Sequence, residues 1–289
     1  MSPLAVVTDS TSYLPPELIE RHGITVVPLY VVFGGDQPVP EIDITDYGAF
    51  FEELRSVEQL PTTSQPSVGD FTAAFEPLLE AGSEIVSVHI SGGLSGTPEA
   101  ARQAKDALTR DGGGGERIEV VDSTTAAGGL GFMVLAAAKA ARDGASAKEA
   151  AEHVAEARKQ LKLWFAIDTL EFLRRGGRIG AASAWIGSTL KVKPILTVEN
   201  EMTPVERVRT SVRMFERLVD YARSCAESGV DAWSAQHINA PDLCSELVER
   251  CSELYGSEPT IVSEIGPVLS AHTGPGLLGT GAVPGHFVD

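Results

Sequence analysis

Hydroxyl side chains crowd four polar loops: Asp9-Ser10-Thr11-Ser12, Thr62 to Ser67, Ser91-Gly92-Gly93-Leu94-Ser95-Gly96-Thr97 and Asp122 to Thr125. The third adds three glycines, which let backbone approach a ligand closely, just before a helix start at Pro98. Such a loop can cradle an anion with neutral donors, or it can be a tight turn with a Ser/Thr N-cap. Gly93 to Thr97 nearly spells the nucleophile elbow G-x-S-x-G, but Thr97 stands where the pattern needs a glycine. A hydrolase would also need a histidine, and His272 draws attention among six because Ser270 to Gly276 reads as a glycine-rich turn. A turn histidine with no role fits equally well. The carboxylates beside these hydroxyls are too sparse for a hard-cation site, so no metal is expected.

A second constellation is basic. Arg174, Arg175 and Arg178 fall within five residues around Gly176-Gly177. They could complete a helix C-cap, or form a docking patch for a phosphate-bearing ligand or an acidic partner. Arg207 and Arg209 would share one strand face and could join that patch. Cys244 and Cys251, two turns apart beside Leu247, read as core, as do the phenylalanines at helical spacing.

Short apolar runs alternating with amphipathic stretches position these loops and predict an α/β fold. Strands are expected at Leu4 to Thr8, Ile24 to Phe33 (closed by a Gly34-Gly35 turn), Glu84 to Ile90 and Ile118 to Val121. Helices are expected after Pro15-Pro16, after Thr45-Asp46, over Val68 to Leu79 and from Pro98. Two Ala-rich helices reach about Leu161, and Gly112 to Gly115 reads as a flexible surface connection. Strands at 164–167, 192–198, 232–238 and 260–263, a strand pair about Asn200-Glu201 and helices at 170–175, 212–225 and 241–255 follow. The expected division is an N-terminal domain, residues 1–161, with a mostly parallel Rossmann-like sheet, and a C-terminal domain, 162–289, with a mixed sheet flanked by helices. In open sheets of this kind ligands sit beyond the carboxyl ends of the strands, where the hydroxyl loops fall.

Composition narrows the chemistry. The 289 residues carry 23 Lys+Arg against 40 Asp+Glu, a net charge of −17 that repels nucleic acid and anionic membrane surfaces. Hydrophobic residues make up 43%, which suits a globular core, and no apolar run is long enough for a spanning helix. The start at Met1-Ser2-Pro3-Leu4 lacks the basic and apolar regions of a signal peptide, and three cysteines without a CxxC pair read as reduced thiols. A cytoplasmic protein is the expectation.

Taken in order, the loops resemble the DegV family of fatty-acid-binding proteins. The matching segments are Val7 to Thr11, Thr63-Ser64-Gln65-Pro66-Ser67, Gly93 to Thr97, Val121-Asp122-Ser123, Leu173 to Gly180, Lys193-Pro194-Ile195-Leu196, and Gly266-Pro267 with His272 to Gly276. The resemblance implies a long-chain fatty acid held between two domains. It implies no cofactor and no chemistry of its own, the chain acting as the carrier subunit that presents its bound acid to a separate, ATP-using fatty acid kinase subunit. The carboxylate would be bound by the Thr63 and Ser95 hydroxyls, the Gly96 N–H and His272, with Thr62, Ser64, Asp9, Ser10 and Ser123 nearby, and Arg178 and Arg209 would engage the kinase. The competing reading is a serine hydrolase or acyltransferase using Ser95 and His272; a phosphosugar or nucleotide binder is a third.

Overall fold

The computed structural model describes residues 3–34, 37–56, 59–186 and 192–289. Met1, Ser2 and Gly35 of the expected Gly34-Gly35 turn lie outside them. The chain runs through β1 (Leu4–Asp9), α1 (Pro16–His22), β2 (Thr25–Val27), β3 (Tyr30–Val32), β4 (Val39–Pro40), α2 (Tyr47–Ser56), β5 (Thr62–Ser64) and α3 (Val68–Glu80). It continues through β6 (Glu84–His89), α4 (Thr97–Arg110), β7 (Ile118–Asp122), α5 (Gly128–Arg142) and α6 (Ala147–Gln160). The remainder holds β8 (Lys162–Ala166), α7 (Glu171–Arg175), β9 (Lys193–Glu199), β10 (Glu201–Val208), α8 (Ser211–Glu227), β11 (Ala232–His237), α9 (Pro241–Tyr255), β12 (Ile261–Glu264), α10 (Pro267–Thr273) and β13 (Leu278–Val283).

The first sheet is parallel throughout, in the order β2-β1-β6-β7. Its carboxyl ends deliver Asp9, His89 and Asp122 to one edge, where the hydroxyl loops begin. The second sheet is mixed, β10-β9-β8-β13-β11-β12, with β11 and β12 its parallel pair. The α/β class and the parallel and mixed characters of the two sheets are thus as expected. Helix α5 carries buried side chains nearly all round and packs on β1 and β6 as well as β11 and β13. A helix apolar on every side belongs between layers, and one continuous core joins Val86 of the first sheet, Leu130 of α5 and Phe165 of the second.

Several local expectations are corrected. The run from Ile24 to Phe33 is two strands, because Pro28 has no N–H to continue the ladder. The second piece, β3, leaves the parallel sheet and pairs with β4 and β5 in a small antiparallel sheet. Thr62 to Ser64, read as loop, is β5 of that sheet, with Thr63 opposite Val31. His272 lies in the last turn of α10 rather than in a glycine-rich turn, Pro267 opening that helix. Gly114 and Gly115 are buried rather than a loose connection; a Cβ on Gly115 would fall 2.2 Å from the Lys105 carbonyl of α4. Among the described residues no helix is long and apolar enough to cross a membrane.

Candidate functional site

A cavity of about 310 Å³ opens where the small antiparallel sheet, the Ser91 to Thr97 loop and α10 meet, and it runs inward over the mixed sheet to Ala126 and Ala127, just before α5. That volume is near the lower end of small-molecule sites, about 300 to 1,000 Å³. Its inner wall is mainly apolar, with Ile90, Phe165, Val198, Met202, Val268 and Leu277 among the lining side chains. Thr63, Ser64, Ser95, Arg178 and His272 line one end of it, and Ser234, Gln236 and Thr280 of the mixed sheet add polar groups further in.

Each of these is held by its own element. Thr63 sits on β5, and its Oγ1 lies 2.8 Å from His272 Nε2, so two residues 209 apart in sequence are in hydrogen-bond contact. His272 Nδ1 is buried without a hydrogen-bond partner and lies over Gly176; a Cβ there would come within 2.4 Å of it. Burial, reinforced by the Arg178 guanidinium, lowers the imidazole pKa to about 4. His272 is therefore neutral at physiological pH. With the proton on Nε2 the imidazole donates to Thr63 Oγ1, which leaves the threonine O–H free to donate into the cavity. Ser95 precedes Gly96, the N-cap of α4, and its Oγ is 2.8 Å from Thr97 Oγ1. The loop is fixed by Arg178, whose Nε donates to the Leu94 carbonyl at 3.3 Å while Nη1 donates to the Gly176 carbonyl at 2.8 Å.

The glycines of this loop have specific neighbours. A Cβ on Gly92 would meet the Asp122 carboxylate at 2.6 Å, and the Gly92 N–H donates to that carboxylate. One on Gly93 would meet the Asn200 carbonyl at 2.2 Å. That carbonyl also accepts from Ser91 Oγ, so the turn between β9 and β10 bolts the loop down. One on Gly96 would strike the Gln65 amide, a cavity-wall group. Gly92 therefore serves packing on the end of β7, and Gly93 packing between the two halves of the chain. Asn200 and Gln65 are site-shaping residues that the sequence reading did not single out, although it read a strand pair about Asn200 and quoted Gln65 within a motif.

The remaining candidates sit apart from the cavity wall. Asp9 is fully buried and accepts from the Ile90 N–H at 2.9 Å and from Thr11, tying β1 to the end of β6. Ser10 donates to Glu41, Ser123 donates to the Thr125 carbonyl at 3.3 Å, and Thr62 faces solvent. Arg209 is exposed at the end of β10, near Arg207, which stacks 5.1 Å from the Trp185 ring. A Ser-His-Asp chain does exist, Ser87 Oγ to His89 Nε2 at 2.6 Å and His89 Nδ1 to Asp9 at 3.1 Å, but all three residues are sealed in the core. No substrate could reach it. The three cysteines are buried and free, and burial lifts the Cys244 thiol to about 11 and that of Cys251 to about 12. Among the described residues no cluster of His, Cys, Asp or Glu could hold a metal ion.

Comparison with known proteins agrees along the whole chain. The DegV domain-containing protein SCO2569 of Streptomyces coelicolor is 40% identical over 96% of this chain and 96% of its own, and protein DegV of Bacillus subtilis is 36% identical over 96% and 97%. Among solved structures, the fatty acid binding protein DegV from Bacillus subtilis superposes with a TM-score of 0.87 at 33% identity, covering 98% of this chain and 99% of its own. A DegV family protein from Thermus thermophilus, described for its fatty acid binding, gives 0.84 at 35% over 97% and 99%. The profile described as "Uncharacterised protein, DegV family" matches residues 3–285, and with relatives this similar over this length the chain belongs to the DegV family.

Proposed function

We propose that the protein binds a long-chain fatty acid with its tail in the apolar cavity and its carboxylate at the hydroxyl-lined end, and presents that carboxylate to a separate fatty acid kinase subunit for acyl-phosphate formation. The observation that carries the reading is the polarity of one cavity: a mainly apolar interior, whose polar sheet residues Gln236 and Ser234 are already hydrogen-bonded within the protein, and a cluster of polar groups at one end. The fatty acid binding of the solved relatives supports it. Each buried methylene contributes about 0.8 kcal/mol, so a tail of about fifteen offers on the order of 10 kcal/mol of gross driving force. The head group then needs orientation more than tight binding. Thr63, Ser95 and the Gly96 N–H are neutral donors, no lysine occurs in either loop, and Arg178, the charged group at that end, spends Nε and Nη1 on the Leu94 and Gly176 carbonyls. Neutral donors hold a carboxylate without withdrawing the charge that makes its oxygen a nucleophile toward a phosphoryl group. The neutral His272, through its bond to Thr63, orients one of those donors.

The hydrolase reading finds less support. Ser95 Oγ is paired with Thr97, His272 Nε2 with Thr63, and the other ring nitrogen has no carboxylate behind it. A serine nucleophile needs a base that is itself oriented by a third group. The carrier needs no metal or cofactor for its part, and free thiols with an ATP-using partner suit a cytoplasmic setting.

Organic extraction of the purified protein followed by mass spectrometry tests the binding reading. Long-chain fatty acid near one equivalent per chain is expected, and a preparation that takes up none when offered it would refute the proposal. The kinase step is tested at Arg178, which stands at the cavity end with Arg174 and Arg175 nearby in sequence, and at Arg209. Arg209→Glu, away from the cavity wall, should retain bound acid yet slow its phosphorylation by the kinase subunit tenfold or more, and a normal turnover rate removes Arg209 from the docking role; Arg178→Glu should weaken binding as well, because it also releases the Ser95 loop.

A further inference from the structure

The cavity wall formed by the mixed sheet has an uneven floor. Strand register sets Gly279 of β13 opposite Phe165 on β8 and Gln236 on β11, and sets Gly281 opposite Leu163 and Ser234. Residues two apart on a strand share a face. These two rows therefore lie one behind the other, and Phe165, Leu163, Gln236, Ser234 and Gly279 all line the cavity. In each row the central strand offers no side chain. The result is a channel along β13 with an apolar bank on β8 and a polar bank on β11.

The polar bank does not ask anything of a tail. Gln236 Oε1 accepts from the Gly128 N–H, its Nε2 donates to Ser263 Oγ at 2.8 Å, and Ser234 Oγ donates to the Gly281 carbonyl at 3.3 Å. Their hydrogen bonds are spent inside the protein, so methylenes can lie against them without stranding a polar group.

The channel also narrows. A Cβ on Gly279 would meet β8 alone among its nearest neighbours, Phe165 Cβ at 3.0 Å and the Trp164 carbonyl at 3.4 Å. One on Gly281 would meet both banks, with the Lys162 carbonyl at 3.0 Å, Leu163 Cδ1 at 3.1 Å and Ser234 Oγ at 3.5 Å. The chain passes from His272 at the polar end through Leu277 to Gly279 and then Gly281. Walking along β13 is therefore walking away from the head-group end toward the constriction.

We propose that Gly279 is a specificity-determining residue that sets how far an acyl tail can enter, and with it the longest chain the protein accepts. This rests on the fatty acid reading. Any side chain at 279 would occupy the channel before its narrow end, and the tail would lose its terminal methylenes from the protein interior. Phe165 on the facing bank is the counterpart, since trimming its ring widens the same stretch.

The test uses the intact chain as wild type, Gly279→Ala and Phe165→Leu, each shown to be folded by circular dichroism, with saturated fatty acids of increasing length competing against a fluorescent acid. For Gly279→Ala the longest acids that wild type accepts should weaken by about fourfold for each methylene excluded, with shorter acids unaffected. Phe165→Leu should move the optimum the opposite way, and it decides the matter alone if the alanine variant does not fold. An unchanged order of lengths in folded variants, or an equal loss for every length, would overturn the role of Gly279 while leaving fatty acid binding intact. Wild type that binds no acid of any length would instead overturn the underlying reading.

Discussion

Removing the two head-group hydroxyls together, Thr63→Ala with Ser95→Ala, should weaken fatty acid binding at least about a hundredfold while the protein stays folded. A neutral donor to a charged acceptor is worth about 1.5 to 3 kcal/mol, so two give about 3 to 6 kcal/mol, or two to four decades in affinity. The lower end is the safer expectation, because water can enter the vacated positions at the open end and return part of each hydrogen bond. Residual binding should persist, since the tail keeps its apolar wall. The structural cost is small by comparison. Thr63 lies on a three-residue strand whose ladder bonds are backbone bonds, and Ser95 precedes a helix whose N-cap is Gly96. Competition against a fluorescent fatty acid gives the affinity, and thermal denaturation confirms the fold. An affinity within threefold of wild type would end the assignment of the carboxylate to these two groups. Loss of the Thr63 partner should also shift the His272 ring resonances, because Nε2 gives up its 2.8 Å contact.

How far the sequence disclosed this arrangement depends on how local the determining physics is. The parallel strands and their following loops were legible because β-branched runs and the helix-start signals at Pro16 and Pro98 are local features. The capping box of Ser67 and Asp70 on α3 is likewise a short-range pair. Strand β5 was not legible. Three polar residues after Pro61 carry no period-two pattern, and they become a strand only through pairing with Tyr30 to Val32, some thirty residues earlier. The glycines at 92 and 93 misled for a similar reason: glycine signals close approach, and the approaching groups are the Asp122 carboxylate for Gly92 and, over a hundred residues away, the Asn200 carbonyl for Gly93. Strand β13 escaped because Gly279 and Gly281 lower strand propensity, yet Gly279 lines the cavity. The family resemblance assembled Thr63, Ser95 and His272 where spacing alone could not, and the contact of Thr63 with His272 bears on that grouping.

Glu41→Ala should destabilise the protein by about 3 to 5 kcal/mol and lower its melting temperature by about 10 °C. Glu41 is 2% exposed, and it receives three donors: Ser10 Oγ, Tyr13 OH at 2.6 Å and the Val268 N–H at 2.8 Å. Alanine would strand the Ser10 and Val268 donors in the interior and leave Tyr13 OH only the Gly266 carbonyl at 3.5 Å, at about 1 to 3 kcal/mol for each donor left unsatisfied. The damage should reach the site. Val268 lies in the first turn of α10, whose last turn holds His272, so Glu41 clamps one end of the seven-residue helix while the Thr63 contact holds the other. Glu41→Gln separates geometry from charge. Its carbonyl can keep the Tyr13 and Val268 bonds, and the Ser10 hydroxyl can turn to accept from the new amide. Burial raises the Glu41 pKa, offset in part by its three hydrogen bonds and reinforced by Asp9. A carboxyl whose folded pKa is raised stabilises most below its unfolded value and loses that contribution as pH rises through the folded one. Glutamine has no proton to lose, so its stability relative to wild type should improve from pH 4.5 upward and lie within about 1 kcal/mol of it at neutral pH. Urea denaturation of the three proteins across that range measures the difference. If the alanine variant melts within about 2 °C of wild type, or if the glutamine variant falls as far as alanine at neutral pH, the clamp does not hold α10 in the manner argued.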